Sequence, residues 1–135
     1  MKPDYRVLDA YSLIAYLEGE KGSDIMVEVF KSARDSGKSL LLSVVNWGEV
    51  YYISLREEGQ KRADEVTCLI STLPIEIVPV DLEITKKAAE YKATKKMSYA
   101  DCFAAALAKL RNAELVTGDK EFKQIENELK ILWIE

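Results

Sequence analysis

The sequence predicts an α/β fold in which a parallel sheet is covered by helices on both faces. Short apolar runs alternate with segments of helical periodicity along the whole chain, the pattern of strands joined by crossover helices. The 135 residues are enough to bury one continuous core. No repeat, low-complexity tract or Pro/Gly-rich linker interrupts them, so one domain spanning residues 1–135 is expected.

Tyr5–Asp9 (YRVLD) reads as the first strand and Ala10–Leu17 as a helix. Gly22–Ser36 carries Ile25, Val29, Phe30 and Ala33 at helical spacing, with Gly37 as its stop. Ser39–Val44 (SLLLSV) is a buried strand and Val45–Glu57 a helix. Gln60–Leu73 is helical up to Pro74, and Ile75–Val80 is a short strand whose Pro79 suits an edge position. Two helices, Asp81–Lys95 and Ser98–Asn112, precede a strand at Glu114–Thr117, a helix at Lys120–Glu128 and a last strand at Lys130–Ile134.

Composition narrows the chemistry. The hydrophobic (48%) and charged (31%) fractions are those of an ordinary globular protein. No apolar run approaches the ~20 residues that cross a bilayer. The N-terminal Met1-Lys2-Pro3-Asp4-Tyr5-Arg6 lacks the apolar centre of a secretory signal, so a cytoplasmic protein without membrane partners is expected. Cys68 and Cys102 have neither a disulfide framework nor metal-binding spacing, and both are expected to be buried thiols. The chain has no histidine, which excludes Ser-His-Asp and Cys-His catalysis, His-ligated zinc and paired-histidine ribonuclease chemistry. A net charge of −4 argues against a simple basic nucleic-acid coat; bound cations can nevertheless offset acids in a site.

In a parallel sheet, ligands bind beyond the carboxyl ends of the strands, where the strand order reverses. Asp9 closes the first strand, where it can face that crevice or cap the next helix. Glu49 lies within a helix beside Val45, Tyr52 and Ile53 at i−4, i+3 and i+4, an apolar stripe that would desolvate its carboxylate. Asp101 is the single acid in Ser98-Tyr99-Ala100-Asp101-Cys102-Phe103-Ala104-Ala105-Ala106-Leu107-Ala108. A helix this apolar packs on most sides, so its acid is expected to be buried or to face a cleft; Ser98 and Asp101 also read as a capping box. Asp119 follows Leu115-Val116-Thr117-Gly118, at a second strand end, and can also cap a helix. Four acids converging at one sheet end repel one another, and divalent cations with oxygen ligands relieve this most naturally.

The ordered set Val7-Leu8-Asp9-Ala10-Tyr11-Ser12, Asn46-Trp47-Gly48-Glu49, Ser98-Tyr99-Ala100-Asp101 and Leu115-Val116-Thr117-Gly118-Asp119-Lys120-Glu121-Phe122 resembles the PIN-domain family, in particular the short VapC-type toxins of toxin–antitoxin pairs. The resemblance spans essentially the whole chain. It implies a three-layer α/β/α sandwich with a central parallel five-stranded sheet, usually forming a homodimer. It also implies that Asp9, Glu49, Asp101 and Asp119 hold one or two Mg²⁺ or Mn²⁺ ions and catalyse endonucleolytic hydrolysis of RNA, with Ser12 and Thr117 as supporting hydroxyls. The family pattern often has Asn or Thr directly after the first aspartate or two residues on; Ala10 and Tyr11 stand there instead. A toxin of this kind needs an antitoxin protein, expected to lay a helix or extended tail near the acids and bring Arg or Lys to them.

Lys86, Lys87, Lys92, Lys95 and Lys96 gather ahead of the Asp101 helix and are candidates for leading an RNA backbone to the site, or else form a solvated face shared with Glu83 and Glu90. Tyr11, Trp47, Tyr51, Tyr52 and Tyr99 are candidates for base stacking, core packing or dimer contacts. Two rival readings stand beside the nuclease. One is an inactive interaction module on the same fold. The other is an acid-rich phosphatase or phosphotransfer domain with Asp9 as nucleophile, although a haloacid-dehalogenase-like enzyme would have a second aspartate where Tyr11 stands.

Overall fold

The computed structural model describes residues 5–135; the N-terminal stretch read as lacking a secretory centre lies partly outside them, at residues 1–4. Five short strands are β1 (Arg6–Leu8), β2 (Leu40–Ser43), β3 (Ile75–Val78), β4 (Glu114–Thr117) and β5 (Ile131–Trp133). They pair in parallel in the order β3-β2-β1-β4-β5. The helices are α1 (Ala10–Leu17), α2 (Ser23–Ser36), α3 (Val44–Glu58), α4 (Gln60–Ser71), α5 (Leu82–Thr94) and α6 (Tyr99–Leu110), with a 3₁₀ helix at Lys120–Ile125.

The alternation of side chains along each strand divides the core in two. Val7, Leu41 and Leu115 pack with the α5 and α6 residues Ala88, Tyr91, Phe103 and Leu107. Their neighbours Leu8, Leu42 and Val116 face the other way, toward Leu13, Met26, Phe30 and Val66 of α1, α2 and α4. Burial of both faces accounts for the near-continuous apolar runs of β1, β2 and β4, and produces the expected three-layer α/β/α fold with a parallel five-stranded sheet. Strand β3 lies at an edge, as Pro79 predicts, although the strand ends one residue before that proline.

Most boundary differences have one cause: the terminal residue of a predicted element is its cap. Asp9, Ser43, Asp81 and Ser98 each accept a backbone N–H from the first turn of the following helix, so Asp9 and Ser43 end strands where longer ones were expected. The expected helix at Lys120–Glu128 is a shorter 3₁₀ helix. Cys68 is exposed, contrary to expectation, whereas Cys102 is buried. Helix α4 buries Ala63, Val66 and Ile70, and Cys68 lies off that stripe. Among the described residues, no helix is long and apolar enough to cross a membrane.

Candidate functional site

The strand order reverses at β1, whose neighbours β2 and β4 lead to opposite halves of the sheet. Asp9 follows β1 and Asp119 follows β4, so the topology brings two aspartates to one crevice although 110 positions separate them. Helix α6 brings Asp101 in its first turn, and α3, packed against α6, brings Glu49.

Asp9 is fully buried. The Ser12 N–H donates to its Oδ1 at 2.8 Å, and the Thr117 hydroxyl donates to its Oδ2. The Asp119 N–H donates to the Thr117 oxygen at 3.0 Å, so one hydroxyl links both aspartates. Ser12 Oγ also donates to the Asp9 carbonyl at 3.2 Å. Asp9 therefore caps α1, one of the two roles weighed for it; its side chain is not among the described residues that line the neighbouring cavity, and its link to Asp119 runs through the Thr117 hydroxyl. Burial pushes its carboxyl up to about 6, against the lowering effect of the Thr117 and Ser12 hydrogen bonds.

Asp101 is buried, and its N–H donates to the Ser98 hydroxyl at 3.2 Å. Desolvation first, then the charges of Asp119, Asp9 and Glu49, push its carboxyl up to about 8. Burial also raises Glu49, a hydrogen bond from Asn46 opposes this, and Asp119 adds to the rise. These mutual influences bring the four predicted acids into one electrostatic cluster. The stripe expected around Glu49 is only partly apolar in the fold: Ile53 lines the cavity beside it, while Tyr52 is exposed.

A cavity of about 520 Å³ opens over the cluster, lined by Glu49, Asp101, Asp119, Ser98, Ala10, Tyr11, Ile14, Ala15 and Ile53. Four charged residues to which sequence reasoning gave no role also line it: Glu20, Lys21, Glu121 and Glu135. Glu121 is the most consequential. Asp101, Asp119 and Glu121 each offer a carboxylate oxygen within 4.8 Å of the others, a spacing that could hold a metal ion. Its signal in the sequence is its place two residues after Asp119, in a turn where its own N–H donates to Asp119 Oδ1 at 2.9 Å. Glu20 and Lys21 reach the wall through a loop held by Gly22, which has φ +95° and sits so close to Ile134 that a Cβ would lie 2.8 Å from its carbonyl oxygen. Sequence offers no signal for that approach. Glu135 accepts a 2.6 Å hydrogen bond from the Tyr11 hydroxyl. That bond, ahead of burial and nearby acids, holds the phenol up at about 12.

The donor set fits a hard divalent cation. It consists of carboxylates, of which Asp9 and Asp101 are buried and held above their ordinary proton affinity, and Lys21 is the one cationic side chain among the described cavity-lining residues.

Residues 6–128 match the PIN domain family model. The chain belongs to the PIN domain family. A comparison with curated proteins gave no match. Among solved structures, this PIN domain is similar to a chain of DNA-bound VapBC from Salmonella typhimurium, with 20% identity, 100% of each chain covered and a TM-score of 0.76. A toxin–antitoxin complex from Klebsiella pneumoniae shares 18% identity over 96% of this chain and 98% of its own, with a TM-score of 0.73. The sarcin-ricin loop cleaving toxin VapC20 of Mycobacterium tuberculosis shares 16% over 88% and 93%, with a TM-score of 0.65. At these identities the likeness is one of fold.

The lysines expected to meet RNA do not act alike. Lys92 Nζ donates to the Met97 carbonyl at 2.8 Å, and Lys87 lies 3.7 Å from Glu90 and over the Tyr91 ring. Both therefore have structural partners within the α5–α6 hairpin. Lys86 and Lys96 are exposed and Lys95 is half-buried. Trp47 stacks on Tyr51, and Tyr99 packs on Phe103.

Proposed function

We propose that this PIN domain, one unit over residues 1–135, is a divalent-cation-dependent endoribonuclease and the toxin of a toxin–antitoxin pair acting in the cytoplasm. The observation that carries the reading is the convergence of Asp9, Glu49, Asp101 and Asp119 at the strand-order reversal, beneath a cavity whose described lining includes a single lysine. Membership of the PIN family and the likeness to VapBC chains support it.

In this reading Asp101, Asp119 and Glu49 would hold Mg²⁺ or Mn²⁺, with Glu121 as an added oxygen donor; Asp9, expected as a fourth ligand, has both oxygens engaged by Ser12 and Thr117 and would support the site from beside it. When bound, such an ion lowers the proton affinity of water and relieves charge on the scissile phosphate. The chain's own residues supply the rest. Thr117 and Ser12 fix the Asp9 carboxylate, and the Ser98 hydroxyl holds the α6 turn that carries Asp101. Lys21 at the cavity wall would grip the RNA backbone, with Lys86, Lys95 and Lys96 as further candidates. Asp9 is fully buried with both oxygens accepting hydrogen bonds, which disfavours the phosphotransfer alternative, since a nucleophile needs an approachable oxygen.

The antitoxin reading fits a second cavity of about 340 Å³ between α1 and α3. Apolar Ile14, Leu17 and Ile53 line it together with Glu20 and Glu57, and with Glu18 and Glu58, which already pair with Arg62. Ile14, Glu20 and Ile53 are common to both cavities, so a basic amphipathic segment lying there would end at the acids. A homodimer is part of the proposal, checked by light scattering of the purified chain.

The deciding experiment is cleavage of structured RNA by the wild type and by Asp101→Asn. The wild type should cut with Mg²⁺ or Mn²⁺, stop in EDTA and recover on re-addition; the variant should lose turnover while keeping its fold. Metal-independent cutting, or unchanged turnover in the variant, would refute the assignment.

A further inference from the structure

The geometry points to Asn46 as a positioning residue: its buried amide ties the Glu49 carboxylate to the first turn of the Asp101 helix and thereby sets the spacing needed for cation binding. This inference rests on the cation-dependent reading above.

Asn46 lies in the first turn of α3 and is completely buried. Its Nδ2 donates to Glu49 Oε1 at 3.3 Å, one turn along the same helix, and to the carbonyl oxygen of Ala100 at 3.0 Å. Ala100 immediately precedes Asp101 on α6. A single planar NH₂ group thus bridges two of the acids' supporting elements, and its two N–H directions are fixed relative to each other. The opposite amide orientation would set the Asn46 carbonyl oxygen against a carboxylate and a carbonyl, so the partners determine which way the group points.

The far end of the same side chain argues against a purely stabilising role. Asn46 Oδ1 is buried and has no hydrogen-bond partner among the described residues. An unpaired buried carbonyl is destabilising, and an apolar residue of similar size would fill this place without that penalty. The amide is retained for what its nitrogen does. Replacing a side chain that orients a ligating carboxylate in this way typically weakens metal binding by roughly 10- to 100-fold.

The test is Mn²⁺ titration calorimetry on the full chain, comparing the wild type with Asn46→Leu, Asn46→Ser and Asp101→Asn, with urea unfolding in EDTA alongside. Asn46→Leu keeps the branched outline, adds some volume and removes both donors; it should fold with a modest packing cost and bind Mn²⁺ roughly 10- to 100-fold more weakly. Asn46→Ser keeps one hydroxyl donor and should fall between. RNA turnover by Asn46→Leu should recover at saturating Mn²⁺, which a packing defect would not predict. If Asn46→Leu binds Mn²⁺ as tightly as the wild type while Asp101→Asn binds poorly, the inference fails and the cation reading stands. If the wild type does not bind Mn²⁺, that reading fails and the inference with it. Should Asn46→Leu not fold, Asn46→Ser decides, and wild-type affinity there overturns the proposal.

Discussion

Replacing Asp101 by Asn should stabilise the metal-free protein, and the gain should grow with pH. Asp101 has its carboxyl raised from 3.8 to about 8 in the folded chain, chiefly by burial and then by Asp119, Asp9 and Glu49. Between these values the native state keeps a proton that the unfolded chain releases, so stability falls as pH rises through the window. Each tenfold difference in proton affinity is worth about 1.4 kcal/mol, so raising the pH from 5 to 8 should cost the wild type about 4 kcal/mol through this group alone. The amide of the variant has no such proton to release. Asp9 titrates in both proteins and largely cancels in the comparison; the amide loses part of the acid's hydrogen bond to Asp119. The net advantage of the variant should therefore be near zero at pH 4–5 and about 2–4 kcal/mol at pH 8. Urea unfolding followed by circular dichroism in EDTA, at fixed protein concentration, measures both curves. Added Mg²⁺ should flatten the wild-type decline and leave the variant nearly unchanged. A difference that is constant with pH, or a variant less stable throughout, would mean that Asp101 serves as a helix cap and that the cluster is not a strained cation site.

Gly118→Ala should destabilise the chain by about 1–3 kcal/mol, because its Cβ would lie 2.5 Å from Tyr11 Cε1 and displace the ring that bonds Glu135. Tyr11→Ala in the same chain should recover much of the loss, and thermal unfolding of the two variants tests the pair. Lys86→Gln with Lys96→Gln should raise KM and lessen the salt dependence of RNA binding by up to ~0.7 in log–log slope for each phosphate no longer neutralised. Lys92→Gln, by contrast, should lower stability through loss of its bond to the Met97 carbonyl, and a salt slope altered by Lys92 alone would reverse these roles. Mn²⁺ affinity should rise from pH 5 to 8, since cation binding displaces the protons held by Asp9 and Asp101; calorimetry in buffers of different ionisation enthalpy counts those protons.

What the sequence makes legible follows from local pattern. Runs such as LLLS and ELVT are buried on both faces, and an acid that ends such a run stands out against them. Asp101 is conspicuous for the same reason, as the one acid in an alanine-rich helix. Features that depend on distant approach leave no mark in the pattern. Glu20 and Lys21 reach the cavity because Gly22 packs on Ile134, more than a hundred residues away. Glu135 matters only because Tyr11 points to it. The 3₁₀ geometry after Asp119 is equally hard to read, because six residues with Phe122 and Ile125 buried suit an α-helix just as well. For Cys68, residue type points inward, but its position off the buried stripe of α4 decides the matter.

Helix capping and cation binding are two uses of one carboxylate, and the fold shows why they belong together. Asp9 caps α1, Asp119 caps the 3₁₀ helix, and Asp101 occupies the first turn of α6. Each therefore sits where backbone N–H groups are unpaired and the helix end carries partial positive charge. Such ends can hold anionic side chains in place without a lysine or arginine between them. A cationic side chain at the centre would satisfy the acids permanently and occupy the space over them. Burial first, and then the charges of the neighbouring acids, still leave the Asp101 carboxyl raised, so the helix N-termini offset these costs only in part. The remaining imbalance is what a divalent cation would relieve, so the elements that make the acids foldable also leave them able to bind.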